Sequence, residues 1–272
     1  MASRYWTDGA HDGDSTNVNN WSATRGGATG ASVPGNSDTA FFLDGDGDIN
    51  ANTAFAAAVI EIGGVFRGNV NGLLSNYAAC VVTIETAAPG KNIAVGPAAA
   101  TTLAKINVRA TGGGSVEIVG GAAGVLTDLV CGSQGRVTVQ TSAAVTNCYS
   151  SGMFVQAWYN ATAFTILQIE GGGTAATPHV IERAVTTLTN SGAFTRANNS
   201  VAITTANLRG WHLHESSGTI ATANAYRAGV LQVGATPFTV TNASWWEGGK
   251  LSYGNPKITF SNAPTIIGNV AA

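Results

Sequence analysis

Apolar and polar residues alternate along most of the chain. In AVIEIGG, Ile60 and Ile62 fall on one face and Glu61 on the other; in VVTIET, Val82 and Ile84 oppose Thr83 and Glu85. KINVRA sets Ile106 and Val108 against Lys105, Asn107 and Arg109. SVEIVG, RVTVQT, FTVTN and KITFSN repeat the scheme with Val116/Ile118, Val137/Val139, Phe238/Val240 and Ile258/Phe260. A period of two sends successive side chains to opposite faces of an extended backbone, so each segment reads as a strand with one dry and one wet face. The Ala-rich run from Asn52 to Ala58 is the one stretch with helical character, and it is short.

A slower rhythm lies over the alternation. Strands begin just after Gly114, Gly135, Gly152, Gly192, Gly218 and Gly249, and the long step from Gly152 to Gly192 has Gly171–Gly173 near its middle. The phrases AVTNCYSSGMF (144–154) and AVTTLTNSGAF (184–194) are related, and VTN, LTN, VTN and FSN place Asn147, Asn190, Asn242 and Asn262 just after strands. An imperfect period near 20 residues is what one coil of a parallel β-helix consumes. The expected architecture is therefore all-β: a right-handed parallel β-helix over residues 38–272, preceded by an irregular arm and cap over residues 1–37. About 230 residues at ~20 per coil and ~4.8 Å per rung give roughly 11 coils and a rod of about 50 Å. The alternative is an antiparallel sandwich or jelly roll, whose strands also recur between turn signals.

Composition agrees: 35 glycines, abundant Ala, Thr, Asn and Val, and only 10% charged residues suit short strands and tight turns rather than helices. A net charge of −2 gives no reason to expect nucleic acid, which calls for a clustered cationic surplus. No apolar run is long enough to cross a membrane, and Met-Ala-Ser-Arg-Tyr-Trp lacks the apolar stretch of a secretion signal. The expectation is synthesis in a cytoplasm. Three cysteines, Cys80, Cys131 and Cys148, are not a disulfide framework. If Gly135 and Gly152 are equivalent, Cys131 and Cys148 stack on adjacent coils as reduced thiols.

The text from Trp6 through Asn20-Trp21-Ser22 and Val33-Pro34-Gly35 to Asp38-Thr39-Ala40-Phe41-Phe42 reads W…NWS…VPG…DTAFF. It resembles the opening of β-helical repetitive proteins: autotransporter-like bacterial surface proteins and, in very similar form, tailed-phage virion proteins. It covers about 40 of 272 residues. The resemblance implies that the Trp residues cap the first coil and that Asp38–Phe42 forms the first strand. The missing secretion signal and membrane-barrel terminus favour the phage side. Such proteins serve as head decoration proteins, head fibres or tail components, commonly as trimers.

Candidate chemistry is sparse. Asp44-Gly-Asp-Gly-Asp48, and Asp8 with Asp12 and Asp14, offer oxygen ligands on glycine-rich turns, yet Phe55 stands where an EF-hand needs its bidentate Glu. These read as solvated turns. His212 and His214 share one face of a strand, as two metal ligands would, and read as hydrogen-bonded surface histidines. The body's carboxylates, such as Glu61, Glu85, Glu117 and Glu215, are spread about one per coil and make no glycosidase pair. Trp158-Tyr159 and Trp245-Trp246 are candidate aromatic platforms, one ring of each pair inward and one outward.

The expected function is that of a non-catalytic virion structural protein, a capsid decoration or head-fibre homotrimer of a tailed bacteriophage. It docks on the major capsid protein or another virion protein through Tyr5, Trp6, Trp21 and Trp246, and needs no cofactor, metal, nucleic acid or membrane. The alternative is a carbohydrate-binding module, such as a receptor-binding tail spike or adhesin.

Overall fold

A computed structural model describes residues 1–45, 47–50, 56–132, 135–157, 163–252 and 258–267. It is nearly all-β, and stacked parallel strands form a β-solenoid. Only one strand pair among the described residues is antiparallel, Ser3–Trp6 with Trp21–Ser22, and this excludes the sandwich. The chain divides into two compact units, Met1–Thr146 and Asn147–Ala272, and the strand Ala144–Ser151 begins in the first and ends in the second. The segment 1–37 lies within the first unit. Most of Asn52–Ala58 falls outside the described residues.

Each unit stacks two sheets. In the first, the longer stack runs Trp21–Ser22, Ser3–Trp6, Thr39–Phe42, Val59–Ile62, Val81–Ile84, Thr102–Val108 and Val125–Cys131. A second sheet holds Val70–Ser75, Asn92–Pro97, Ser115–Ile118 and Arg136–Val139. Register places like beside like. Ala40, Ile60, Val82, Ile106 and Leu129 form one inward column, and Phe42, Ile62, Ile84, Val108 and Cys131 form the next. Every member of both columns is buried. Full burial of an Ile or Leu is worth about 2–3 kcal/mol, so these columns carry the unit's hydrophobic stabilisation.

The second unit repeats the plan. Phe164–Glu170, Val185–Ser191, Ile203–Leu208, Ile220–Ala225 and Phe238–Trp246 make the long-stranded sheet, ending in Ile258–Phe260 and Thr265–Ile267. His179–Ile181, Phe194–Ala197, Trp211–His214, Val230–Val233 and Lys250–Ser252 follow Phe154–Ala157 in the other sheet. Long strands in both units break the period of two. In Val185–Ser191 the buried positions are Val185, Leu188 and Asn190; in Val125–Cys131 they are Leu126, Leu129 and Cys131. Two successive residues face outward between the first two buried ones, which an extended strand accommodates by bending. The bend lengthens the strands past the alternating text, so Asn147, Asn190 and Asn242 lie inside strands rather than after them.

Glycine marks the corners that lead into the shorter strands. Gly135, Gly152 and Gly192 adopt φ of 96°, 85° and 80°, the left-handed region that a Cβ disfavours. The long Gly152–Gly192 step contains one further rung, His179–Ile181, while Gly218 precedes a strand of the other sheet. Polar ladders bond the turns: Asn69 Nδ2 donates to Asp48 at 3.0 Å and Asn71 Nδ2 to Asn50 Oδ1 at 2.8 Å. In the second unit, Asn224 Nδ2 donates to Asn207 Oδ1 at 3.0 Å.

All three cysteines are buried, and none is in a disulfide. The Ala144 N–H bonds to the Gly124 carbonyl, which sets Ala144 beside Val125. Burial raises the Cys80 thiol to about 11, so it stays protonated and inert at neutral pH.

Candidate interaction surfaces

The opening motif folds into an aromatic plug. Trp6 and Trp21 meet edge to face at 5.4 Å, and Phe42 lies 5.7 and 5.3 Å from them. The Trp21 indole donates to the Ser15 carbonyl at 2.9 Å, and Asn20 Nδ2 to the Asp14 carbonyl at 2.9 Å, which closes the loop between the two Trp strands. Trp21 is 0% exposed and Trp6 3%. The anchoring expected of these two rings is therefore unavailable to a partner, because the apolar end of the inward columns takes them up. Tyr5 behaves differently. It stacks on Phe41 at 4.9 Å, and both rings are half-buried.

The acidic turns are occupied by the protein's own donors. Arg25 grips Asp44 with two nitrogens, each 2.6 Å away, and Asn69 donates to Asp48 through its backbone and its side chain. Asp12 accepts from Asn17, Asn20 and the Asp14 N–H. These hydrogen bonds hold Asp44, Asp48 and Asp12 below the usual carboxylate range. Asp46 lies outside the described residues, among which no three His, Cys, Asp or Glu side chains converge as a metal site would require. Of the body's carboxylates, Glu85 pairs with Arg109 at 2.9 Å and Glu215 lies 3.7 Å from Arg196.

The histidines are not at the surface. His212 and His214 share one face of Trp211–His214, as the alternation requires, but that face is the interior and both are 0% exposed. Their hydrogen bonds fix every proton in the neutral state. The Gly218 carbonyl can only accept, so His214 Nε2, 3.0 Å away, donates to it and leaves Nδ1 bare. His212 Nε2 then donates to His214 Nδ1 at 3.3 Å, which leaves His212 Nδ1 bare; the one proton of the Thr195 hydroxyl goes to that nitrogen at 2.9 Å rather than to the Trp211 carbonyl at 3.3 Å. Asn190 Nδ2 donates to Thr195 Oγ1 at 3.0 Å, and Asn190 Oδ1 accepts the Ala193 N–H at 2.9 Å. Desolvation, and for His212 the neighbouring His214, pushes both imidazoles below their ordinary range, His214 to about 4. Each ring nitrogen is committed to a protein partner, which leaves no lone pair for a metal.

Trp158 and Tyr159 lie outside the described residues. Trp245 and Trp246 are both half-buried and turn to different neighbours, Trp245 to Phe260 at 6.0 Å and Trp246 to Tyr226 at 4.4 Å. The Tyr226–Trp246 stack continues: the Arg209 guanidinium sits 4.9 Å over the other ring, Tyr226. On the adjoining sheet Trp211, 39% exposed, stacks on Phe194 at 5.7 Å and donates its indole N–H to Gln232 at 2.7 Å. Sequence reading singled out Trp246 but not Arg209, Tyr226 or Trp211. The available signal was their position, since Arg209, Tyr226 and Trp246 each stand where a long strand reaches the same corner. No family model, curated protein or solved structure matches the chain.

Proposed function

We propose that the chain is a non-catalytic structural protein of a tailed-phage particle, a capsid decoration or head-fibre protein made in the host cytoplasm and assembled as a homotrimer on a virion protein. The observation that carries this reading is the fate of the W…NWS…VPG…DTAFF opening. Its Trp6, Trp21 and Phe42 form one sealing cluster over the first inward column, the part such an opening plays at a β-helix entrance. A ladder-bonded stack with aliphatic columns is stiff along its length and suits mechanical support. Docking falls to the aromatics that reach the surface, Tyr5 and Trp246, while Trp6 and Trp21 pack with Phe42 on the opposite, inward face. Cryo-electron microscopy of the source particle tests the assignment. Trimeric density on the shell, lost with Tyr5→Ala while the free protein's melting temperature holds, is expected; a particle without the chain sinks the reading.

A second reading, a carbohydrate-binding module, is favoured by the aromatic side chains of the second unit that reach solvent, the exposed Trp211 and the half-buried Tyr226–Trp246 stack. Aromatic surface clusters of this kind anchor ligands by large contact area at low entropic cost. Glycan-array binding that falls on Trp246→Ala is the expected signature.

A further inference from the structure

The connections between the two sheets of the second unit are unequal in length. Ile181, Ala197 and His214 stand in line where three strands of one sheet end. Val185, Ile203 and Ile220 stand in line where the following strands of the other sheet begin. Between these positions run three residues in the first rung (182–184) and five in each of the next two (198–202 and 215–219). A chain's reach scales with its number of residues, so the short connection stays closer to the interior than its neighbour. The step leaves a notch of about 570 Å³ along 182–184. Ala163 of the preceding rung lies on one side of it, and Asn199, Ser200 and Val201 of the following rung on the other. The taller wall is braced. Asn199 holds φ of 60°, its carbonyl accepts the Ser217 N–H at 3.0 Å, and Ser200 Oγ lies 3.4 Å from Ser217 Oγ.

The lining has a definite chemistry. Ala163, Ala184 and Val201 bring methyl groups, Glu182 and Arg183 one charge of each sign, and Asn199 and Ser200 an amide and a hydroxyl. Glu182 forms no ion pair among the described residues, and Asn199 and Ser200 are exposed. The notch has the volume of a small-molecule site, about 300–1,000 Å³. A ligand with net charge gains from one of the two adjacent charges what it loses to the other. An apolar ligand would strip water from a carboxylate and a guanidinium and return no hydrogen bond. A hydroxyl both donates and accepts, so a ring bearing several can donate to Glu182, accept from Arg183 and do both with Asn199. The C–H groups of such a ring suit the alanine and valine methyls. A free amino acid would match the two charges but fill a small part of the volume.

We infer that this notch binds an uncharged sugar unit of a neutral glycan, held by Glu182, Arg183, Asn199 and Ser200. The inference rests on the carbohydrate-binding reading and moves its ligand from the aromatic side chains to the notch. The test is a glycan array carrying neutral, sialylated and uronate-containing oligosaccharides, probed with the full chain. Calorimetric titration with the neutral oligosaccharide that gives the strongest signal follows. A neutral glycan binds, and its affinity holds as salt rises. Glu182→Ala lowers that affinity about tenfold and Asn199→Gly, which keeps the left-handed turn, about threefold. Ala184→Trp fills the notch and abolishes binding, and Arg67→Ala in the first unit has no effect, with melting temperatures unchanged throughout. Loss on Trp246→Ala with full binding by the three notch variants keeps the carbohydrate reading and overturns the notch. Preference for sialylated or uronate glycans, or tighter binding of free alanine than of any sugar, overturns the uncharged ligand. Binding of no glycan removes the inference and the carbohydrate reading together.

Discussion

The two units use one backbone plan with different interiors. In the first, the inward columns of the sheet that holds Ser115–Ile118 are aliphatic: Ile93 beside Val116 beside Val137, and Val95 beside Ile118 beside Val139. In the second, the corresponding columns read His179, Thr195, His212, Leu231 and Ile181, Ala197, His214, Val233. Asn190 also breaks an otherwise apolar column between Ile169 and Leu208. A ladder fold requires only that each rung satisfy the next. Aliphatic rungs do so without direction, by area; the polar rungs do so through hydrogen bonds whose partners must be in register. Between neutral pH and about 5, above the range in which its hydrogen-bonded carboxylates Asp12, Asp38, Asp44 and Asp48 lose their contribution, the first unit should therefore be insensitive to pH and intolerant of polar intrusion, and the second the reverse.

The harshest way to break that contrast is to place an amide in the first interior. Ile84 lies between Ile62 and Val108, with no polar partner in its column. Ile84→Asn forfeits the buried side chain's transfer energy and leaves an unpaired amide, for a loss of about 4 kcal/mol in urea unfolding. A loss below about 1 kcal/mol would mean that the aliphatic columns are looser than their burial implies.

Acid should act on the second unit instead. His214 is neutral in the folded chain down to about 4, whereas an unfolded histidine takes up a proton near 6.5. The unfolded state thus binds more protons between these values. Stability from this residue is fully present above about pH 6.5 and is lost as pH falls toward 4, by about 3 kcal/mol, with His212 adding in the same direction. The groups packed against the two imidazoles, Thr195, Asn190, the Gly218 carbonyl and the Phe238 ring 4.3 Å from His214, are neutral and offer no counter-charge. Hydrogen exchange, corrected for intrinsic rates, should show protection falling between pH 7 and 5 over 194–240 and not over 81–131. Equal loss in both segments would defeat the comparison.

How much of this was legible follows from where each signal resides. The alternation at Ile60/Ile62 and Val116/Ile118 carries its own face assignment, and the corner glycines announce positive φ, so the β-solenoid is readable from the chain. The outward doublets, such as Thr186 and Thr187 between Val185 and Leu188, look like the end of a strand because a period-two reading has no place for them. His212 and His214 were placed on one face correctly, but a polar residue on a dry face looks the same in sequence as one on a wet face. Their partners, Thr195 and Asn190, become neighbours only once the register of separate rungs is known. Trp6 and Trp21 sit in polar, glycine-rich text with no alternation to mark the interior they close, and only the resemblance of the opening motif points to a cap.

A smaller change separates geometry from charge in the second unit. Thr195→Val keeps the volume of the side chain but removes the hydroxyl that donates to His212 and accepts from Asn190. Two buried groups lose a partner, at a cost of about 2 kcal/mol in the neutral range. His212 Nδ1, no longer receiving a hydrogen bond, takes a proton more readily. Chemical melts from pH 7.5 to 5 should therefore show lower stability at every pH but a shallower fall toward acid than in the parent.

The mildest change ought to be blind to the contrast. Ala100 and Ala123 in the first unit and Ala228 in the second hold φ of 55°, 59° and 65°, where a Cβ crowds the following carbonyl oxygen at a cost of about 1–2 kcal/mol. Glycine relieves that strain but enlarges the unfolded chain's freedom by roughly 0.5–1 kcal/mol. Ala123→Gly and Ala228→Gly should each stabilise by about 0.5 kcal/mol, equally at pH 7 and pH 5. These turns lie outside the interiors, so backbone strain there acts on the ladder common to both units. A gain in one unit and a loss in the other would mean that the interiors reach into the corners, and that the two sets of columns also differ in how rigidly they hold the turns that join them.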